Sequence, residues 1–306
     1  RVGAMANATT DPVAWHTLEY ITASLSPGRD RRPRPKLGVP LHNPLDDRKQ
    51  VAGIEMLSGQ IVVPCDSRQL GRWLHLGFAA PAVTGAGPLY THTFNSGEQT
   101  ARLFALQVRM SANDVRIFRG LTISSIAVDA QGEQVQDFNV TLGLMGLSEE
   151  RATAFLSGSP AAVPATAEIR RMTQLVDGVA AGRVNRAGFT FDRRVAAKAF
   201  LSETPVVSEV RPQGGPAGGS AEYNALGRVY DDIEAADSLF ASVLRGFGTV
   251  ANHRVDFAIP LSRFAASPRA IDGPGEISRS WSWAGEQDAT TPVARVVVTN
   301  DVAAYS

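Results

Sequence analysis

Period-two alternation of apolar and polar side chains recurs along this chain and constrains its fold more than any other feature. In "RLFALQVRM", Phe104, Leu106, Val108 and Met110 share one face, with Gln107 and Arg109 on the other. In "QDFNVTLGL", Phe138, Val140, Leu142 and Leu144 alternate with Asp137, Asn139, Thr141 and Gly143. "GFTFDRRV" puts Phe189 and Phe191 together, and "HRVDFAI" does the same for Val255, Phe257 and Ile259. "EISRSWSW" sets Ile277, Trp281 and Trp283 against Ser278, Ser280 and Ser282. Successive side chains of a strand point to opposite faces, so such segments are half-buried strands with one face on a core. The fold class is predicted to be mainly β.

Three stretches carry helical spacing instead. In "DSRQLGRWLHLGF", Leu70, Trp73, Leu74 and Gly77 recur at i, i+3, i+4 and i+7 behind Asp66 or Ser67 as caps. In "DSLFASVLRGFG", Leu239, Phe240, Val243, Leu244 and Phe247 do so behind Asp237 or Ser238. "ATAEIRRMTQLVDGVAAG" (165–182) is a third candidate. Ahead of these, "SPGRDRRPRPKLGVPLHNPL" (26–45) is rich in Arg and Pro and has no apolar period, so it reads as an extended arm.

Two pairs of segments resemble each other. Residues 58–78 and 226–247 both read as strand, acidic cap, amphipathic helix and Gly-Phe. "AVDAQGEQVQDFNV" (127–140) and "AIDGPGEISRSWSW" (270–283) share Asp, then Gly-Glu, then an alternating strand in the same phase. Phe138 and Val140 align with Trp281 and Trp283, while Asp137 and Asn139 align with Ser280 and Ser282. A slip of one residue would turn every side chain to the wrong face, so the kept phase weighs more than the few identities. The expected organisation is an N-terminal arm (1–45), a first β-sandwich domain with a flanking helix (46–150), a helical connector (151–183) and a second such domain (184–306). Gly273, Gly275 and Glu276 then form a tight hairpin turn, and Trp73, Trp281 and Trp283 belong to the core.

Composition narrows the chemistry. The 306 residues have a formal net charge of zero, which gives no sign of a protein that grips polyanions. No apolar run approaches the ~18–20 residues of a membrane span, so no membrane partner is expected. The single cysteine, Cys65, excludes an intrachain disulfide and reads as a small buried residue. There is no phosphate-binding loop, and the five histidines (His16, His42, His75, His92, His253) lack metal-site spacing. Asp46 with Asp47 and Asp231 with Asp232 read as turn caps rather than an acid/base pair, "GGSAEY" lacks the nucleophile-elbow glycine, and "QGGPAGGS" (213–220) reads as a loop. Trp281 and Trp283 could form a sugar-stacking platform, but their phase favours the core. No enzyme, cofactor or metal site is expected.

Residues 58–97, with a Ser-Gly strand, a Gly-x-Trp-Leu helix, a Thr-Gly loop and "YTHTF", resemble the N-terminal region of tail tube proteins of long-tailed, non-contractile bacteriophages. "IDGPGEISRSWSWAGEQD" and "ARVVVTNDVAAY" resemble that family's C-terminal end. The resemblance implies a virion structural protein whose inner sheets join into a ring-wide β-barrel. A duplicated chain would form trimeric rings of pseudo-sixfold symmetry, stacked into a tube. It further implies a tape-measure protein and other tail proteins as partners, double-stranded DNA in passage without specific binding, and a location in the virion tail after assembly in the host cytoplasm. On it, Asp137, Asn139, Thr141, Ser278, Ser280 and Ser282 are candidate lumen-facing positions, with the outer, solvent side as the other reading. Arg29, Arg31, Arg32, Arg34, Lys36, Tyr90 and His92, together with the extra segment 80–99, are candidate inter-ring contacts. The alternative function is a glycan-binding or other β-sandwich tail component, such as a distal tail protein or adhesin.

Overall fold

A computed structural model describes residues 1–6, 10–33, 50–77, 80–97, 102–131, 138–156, 158, 160–162, 165–181, 184–198, 209–224, 233–234, 237–265 and 278–305. The first half contains β1 (Val2–Met5), β2 (Thr22–Pro33), β3 (Gln50–Pro64), α1 (Gln69–Gly77), β4 (Ala82–Thr84), β5 (Tyr90–Asn95), β6 (Leu103–Ser111), β7 (Asp114–Gln131), β8 (Asn139–Gly146) and β9 (Ser148–Ala152). The second contains β10 (Ile169–Val176), β11 (Val179–Ala180), β12 (Val184–Asp192), β13 (Ala196–Lys198), β14 (Glu209–Arg211), β15 (Ala217–Asn224), β16 (Phe240–Gly248), β17 (Arg254–Phe264), β18 (Ser278–Gly285) and β19 (Arg295–Asn300). The chain is mainly β, and α1 is the only helix longer than one turn among the described residues.

All the strand pairings are antiparallel, and six of them occur twice in the same chain order. In the first half these are β1–β6, β2–β3, β6–β7, β3–β8, β7–β8 and β7–β9. In the second they are β10–β16, β12–β15, β16–β17, β15–β18, β17–β18 and β17–β19. The halves meet where β7 pairs β12, from Ser125 opposite Asp192 to Gln131 opposite Arg186. One open sheet thus runs β2–β3–β8–β7–β12–β15–β18.

β7 belongs to two layers. Its residues 114–121 pair with β6, and its residues 122–128 pair with β8. Gly120 lies at the crossover with φ 65°, in the left-handed region, and a Cβ there would meet Leu147 at 2.5 Å. Between the layers lies one core that includes Ile61, Trp73, Phe104, Leu142, Phe189, Phe257, Trp281 and Trp283. Trp73 meets Phe104 edge-on at 6.3 Å, and Phe264 lies 5.1 Å from Trp281.

The helical spacing at Leu70–Gly77 is realised as α1, with Leu70, Trp73 and Leu74 buried. Asp66 caps it: Oδ1 accepts from the amides of Arg68 (2.8 Å) and Gln69 (2.9 Å), and Oδ2 from the amide of Ala167. The expectation of a helix at Leu239–Phe247 is corrected, because this stretch is β16. Phe240, Ser242, Leu244 and Gly246 are buried in period two, whereas Leu239 and Phe247 are exposed. The helical phase had counted the exposed apolar residues and overlooked the buried serine and glycine. It follows that 226–247 does not match 58–78 element for element; β16 stands where β6 stands in the first half.

Residues 165–182, expected as helical, contain β10 and β11. The N-terminal stretch, expected as a free arm, is built into the fold through β1 on β6 and β2 on β3. Among the described residues only β3 pairs with β2, and such an edge position tolerates Pro27. "QGGPAGGS", expected as a loop, runs into β15. Its Gly219 lies beneath Trp283, where a Cβ would come within 2.3 Å of the indole nitrogen.

Trp283→Ala is expected to cost about 3–5 kcal/mol, and Gly219→Val about 1–3 kcal/mol through overpacking against that ring. Urea unfolding followed by tryptophan fluorescence measures both. A change below about 0.5 kcal/mol, the range of a surface substitution, would show that this ring is not part of the core.

Candidate functional site: the open face of the large sheet

One face of the large sheet covers the core, and the other is open. Across that open face, Val62, Thr141, Ala127, Thr190 and Gly218 are successive cross-strand neighbours from β3 to β15. A second row runs Asp129, Gly188, Ser220 and Ser282, and a third Gln131, Arg186, Glu222 and Ser280. The face is concave, holding a depression of about 630 Å³ whose walls include Asn139, Thr141, Thr190, Ser220 and Ser280. Small and hydroxyl side chains dominate because every second residue of these strands is the partner of a buried one: Trp281 for Ser280 and Ser282, and Phe189 for Gly188 and Thr190.

Its charge is sparse and acid-leaning, with Asp129, Asp192 and Glu222 against Arg186. Arg186 bridges the β7–β12 seam, donating to Asp129 from Nε at 2.9 Å and from its terminal nitrogen at 2.5 Å. This bond holds the Asp129 carboxyl below the usual carboxylate range and raises the Arg186 guanidinium. Both groups are solvated, so the pair orients side chains more than it stabilises the fold.

The structure brings Asn139, Thr141, Ser280 and Ser282 onto this one face, with β7, β12 and β15 between the two sets. The backbone of Ser278 lies opposite Asn224. Asp137, Arg34, Lys36, Gly273, Gly275, Glu276, His42, Asp46, Asp47, Asp231 and Asp232 lie outside the described residues. The backbones of Arg29, Arg31 and Arg32 pair with β3 opposite Glu55, Ala52 and Val51. Segment 80–99 contributes β4 and β5, and β5 is built onto β19, so Tyr90 faces Asn300. His92 is 0% exposed, bonded through Nε2 to the Val302 carbonyl (2.7 Å) and 4.5 Å from the Tyr305 ring, so it presents no surface for another subunit. Trp281 and Trp283 are 1% and 3% exposed, which removes them as a sugar platform.

The sequence reading missed Asp129, Arg186, Thr190, Ser220 and Glu222. The alternation of Phe189 and Phe191 already implied an opposite face carrying Gly188 and Thr190. β15 was masked by its glycines.

A Ser–His–Asp row also occurs. Ser67 Oγ is 2.9 Å from His253 Nδ1, and His253 Nε2 is 4.0 Å from Asp301. Ser67 is 0% exposed and its hydroxyl also donates to the Ala167 carbonyl (3.3 Å), so no substrate can reach it. The row is a staple between the halves, joined by Arg68 donating to both Asp301 oxygens (2.8 and 2.6 Å) and by Asn300 donating to the Ser67 carbonyl (2.5 Å).

A wide polar face on an antiparallel sheet, backed by one apolar core, defines a β-structural protein that works through its surfaces. A family model described as phage tail tube protein matches residues 25–285, and the chain belongs to that family. It is therefore a structural component of a phage tail. None of the curated proteins matches the sequence.

Burial holds the pKa values of His92 and His253 below the ordinary histidine value. The unfolded chain therefore takes up protons near pH ~6.5 that the folded chain refuses. Stability is expected to be full above that pH and to fall as the solution is acidified towards pH ~5. Urea midpoints at neutral and acid pH measure this, and His253→Asn is expected to flatten the dependence. An identical slope in that variant would remove His253 from the account.

Proposed function

We propose that the chain is the repeating subunit of a tail tube and contributes two tandem tube-type units, one from β1–β9 and one from β10–β19. The observation that carries this reading is the recurrence of the six pairings in the same order. In this reading three copies close a ring of pseudo-sixfold symmetry, and their large sheets join into one barrel. Rings stack into the tube of a non-contractile tail, which houses the tape-measure protein until genome ejection and then conducts DNA. The hairpin of β2 and β3, with Arg29, Arg31, Arg32, Arg34 and Lys36 on or beyond its strands, reaches the next ring.

The open face is the lumen wall in this proposal, with Asn139, Thr141, Ser280 and Ser282 joined by Asp129, Thr190, Ser220 and Glu222. A conduit must let DNA slide. Basic side chains would release counterions and hold the duplex, whereas hydroxyls, glycines and a slight excess of carboxylates do not. The face supports a passive wall on that ground.

Negative-stain microscopy of the purified protein under assembly conditions tests the proposal, with hollow tubes or rings expected; persistent monomers there and no tube in the virion would end it. The double variant Ser220→Lys with Ser282→Lys is expected to assemble normally yet retain double-stranded DNA in a salt-sensitive manner. Equal DNA release from variant and wild-type tubes would place this face outside the lumen.

A further inference from the structure

The outward face of β16 carries an exposed apolar side chain at each end. Phe240, Ser242, Leu244 and Gly246 point to the core, so Leu239, just ahead of the strand, and Phe247 point away from it. Leu239 is 44% exposed and Phe247 39%. Each stands among charges of one dominant sign. Phe247 lies directly between Arg171 of β10 and Arg254 of β17 in the pairing register. With Arg245 these make three guanidiniums beside one carboxylate, Asp256. Arg245 holds both Asp256 oxygens (3.0 and 2.9 Å), and Arg254 reaches it at 3.5 Å without a hydrogen bond from its Nε. Arg171 is exposed and bound to no carboxylate among the described residues. The adjacent Arg170 and Glu168 pair with each other (3.0 Å).

Leu239 has the opposite setting. Arg263 donates to Glu286 and pairs with Asp237 (both 2.9 Å), and Asp288 follows Glu286 on the next turn of chain. Here three carboxylates surround one guanidinium. The two clusters occupy opposite ends of the sandwich. Arg171 lines a depression with Gln131, Phe138 and Val184, where β7 ends and β8 and β12 begin. Leu239 precedes Phe240, which pairs Ser262, itself opposite Gly285 at the far end of β18. Ser280 of β18 shares the row of Gln131, which puts Gly285 about 17 Å from that row along the strand.

The first half has no such pair. The bulge between Phe104 and Leu106 in β6 recurs between Phe240 and Ser242 in β16, so Leu103 holds the place of Leu239 and Ser111 that of Phe247. Leu103 packs against the cluster of Leu147, Val195 and Val210, whereas Leu239 stays exposed.

We infer that successive rings join through these clusters: the Arg171–Phe247–Arg254 row of one copy receives Leu239, Asp237 and Glu286 of a copy in the next ring. Exposed apolar side chains rimmed by charge mark interfaces. A contact between unlike patches that does not close on itself propagates as a filament, and the opposite charges fix its polarity. The inference rests on the tube reading and adds which surfaces stack the rings.

The test uses assembled protein carrying Leu239→Cys labelled with benzophenone maleimide; the native Cys65 is buried and stays unlabelled. Irradiation is expected to attach the label to the peptide around Phe247 of the partner subunit. The covalent ladder should run past three copies, the number in one ring of the proposed tube. A ladder that stops at three, an adduct on the β2–β3 hairpin, or tubes without adduct would overturn the stacking contact and leave the tube reading intact. A charge swap gives a second readout. Arg171→Glu is expected to keep the urea midpoint and to shorten tubes by about tenfold or more, and Arg171→Glu with Glu286→Lys to restore their length. Wild-type length in Arg171→Glu, or no recovery in the double variant, would overturn the contact as well. Failure of the wild-type chain to form rings or tubes would overturn both.

Discussion

The backbone pairing of β7 with β12 is the contact on which the rest of the molecule depends. It joins two sets of strands into one sheet with a continuous core beneath and a continuous polar face above. Because β7 also crosses into the second layer, the seam is anchored from behind by β6 and β9. Gly120 permits that crossing, since its φ of 65° disfavours any residue with a Cβ. On the open side, Arg186 and Asp129 bridge the same seam.

A second union works through side chains. Asp66 is 0% exposed and would be costly there as an unpartnered charge. It instead accepts three backbone amides, two from the start of α1 and one from Ala167 in the second half. The C-terminal residues close over the same helix. Asn300 donates to Tyr305 (2.6 Å), whose hydroxyl lies where a Cβ on Gly71 would be. β5, from the first half, extends the second half's sheet on β19. The repeated pairings therefore do not make two separable bodies, because each half supplies pieces that the other buries.

Much of this was legible in the sequence, for a definite reason. Alternation at β8, β12 and β18 survives because each has one buried and one open face, which is the condition under which period two is written into side chains. The helix α1 was legible because its cap and its apolar stripe agree. β16 was misread because it lies between β10 and β17, with apolar residues on both faces, and such a run carries no decisive period. β15 was hidden because its packing against Trp283 requires glycine where a strand would otherwise declare itself with a branched side chain. β2 was hidden because an edge strand can carry proline and arginine. The polar face was half legible: Asn139, Thr141, Ser280 and Ser282 follow from alternation, but their union depends on β7, β12 and β15 lying between them, which is a matter of topology.

The absence of catalytic motifs in the sequence acquires a physical meaning on this face. A site that binds must gather charge or donors at one place, and such gathering is what motif reading detects. The open face does the reverse. Its charges are spread over β7, β12 and β15, one cation is bonded to one acid across the seam, and the remaining positions are serine, threonine, asparagine and glycine. If the face is the lumen wall proposed above, weak sequence signals are what is expected, because a surface that must not hold a polyanion is defined by what is kept off it.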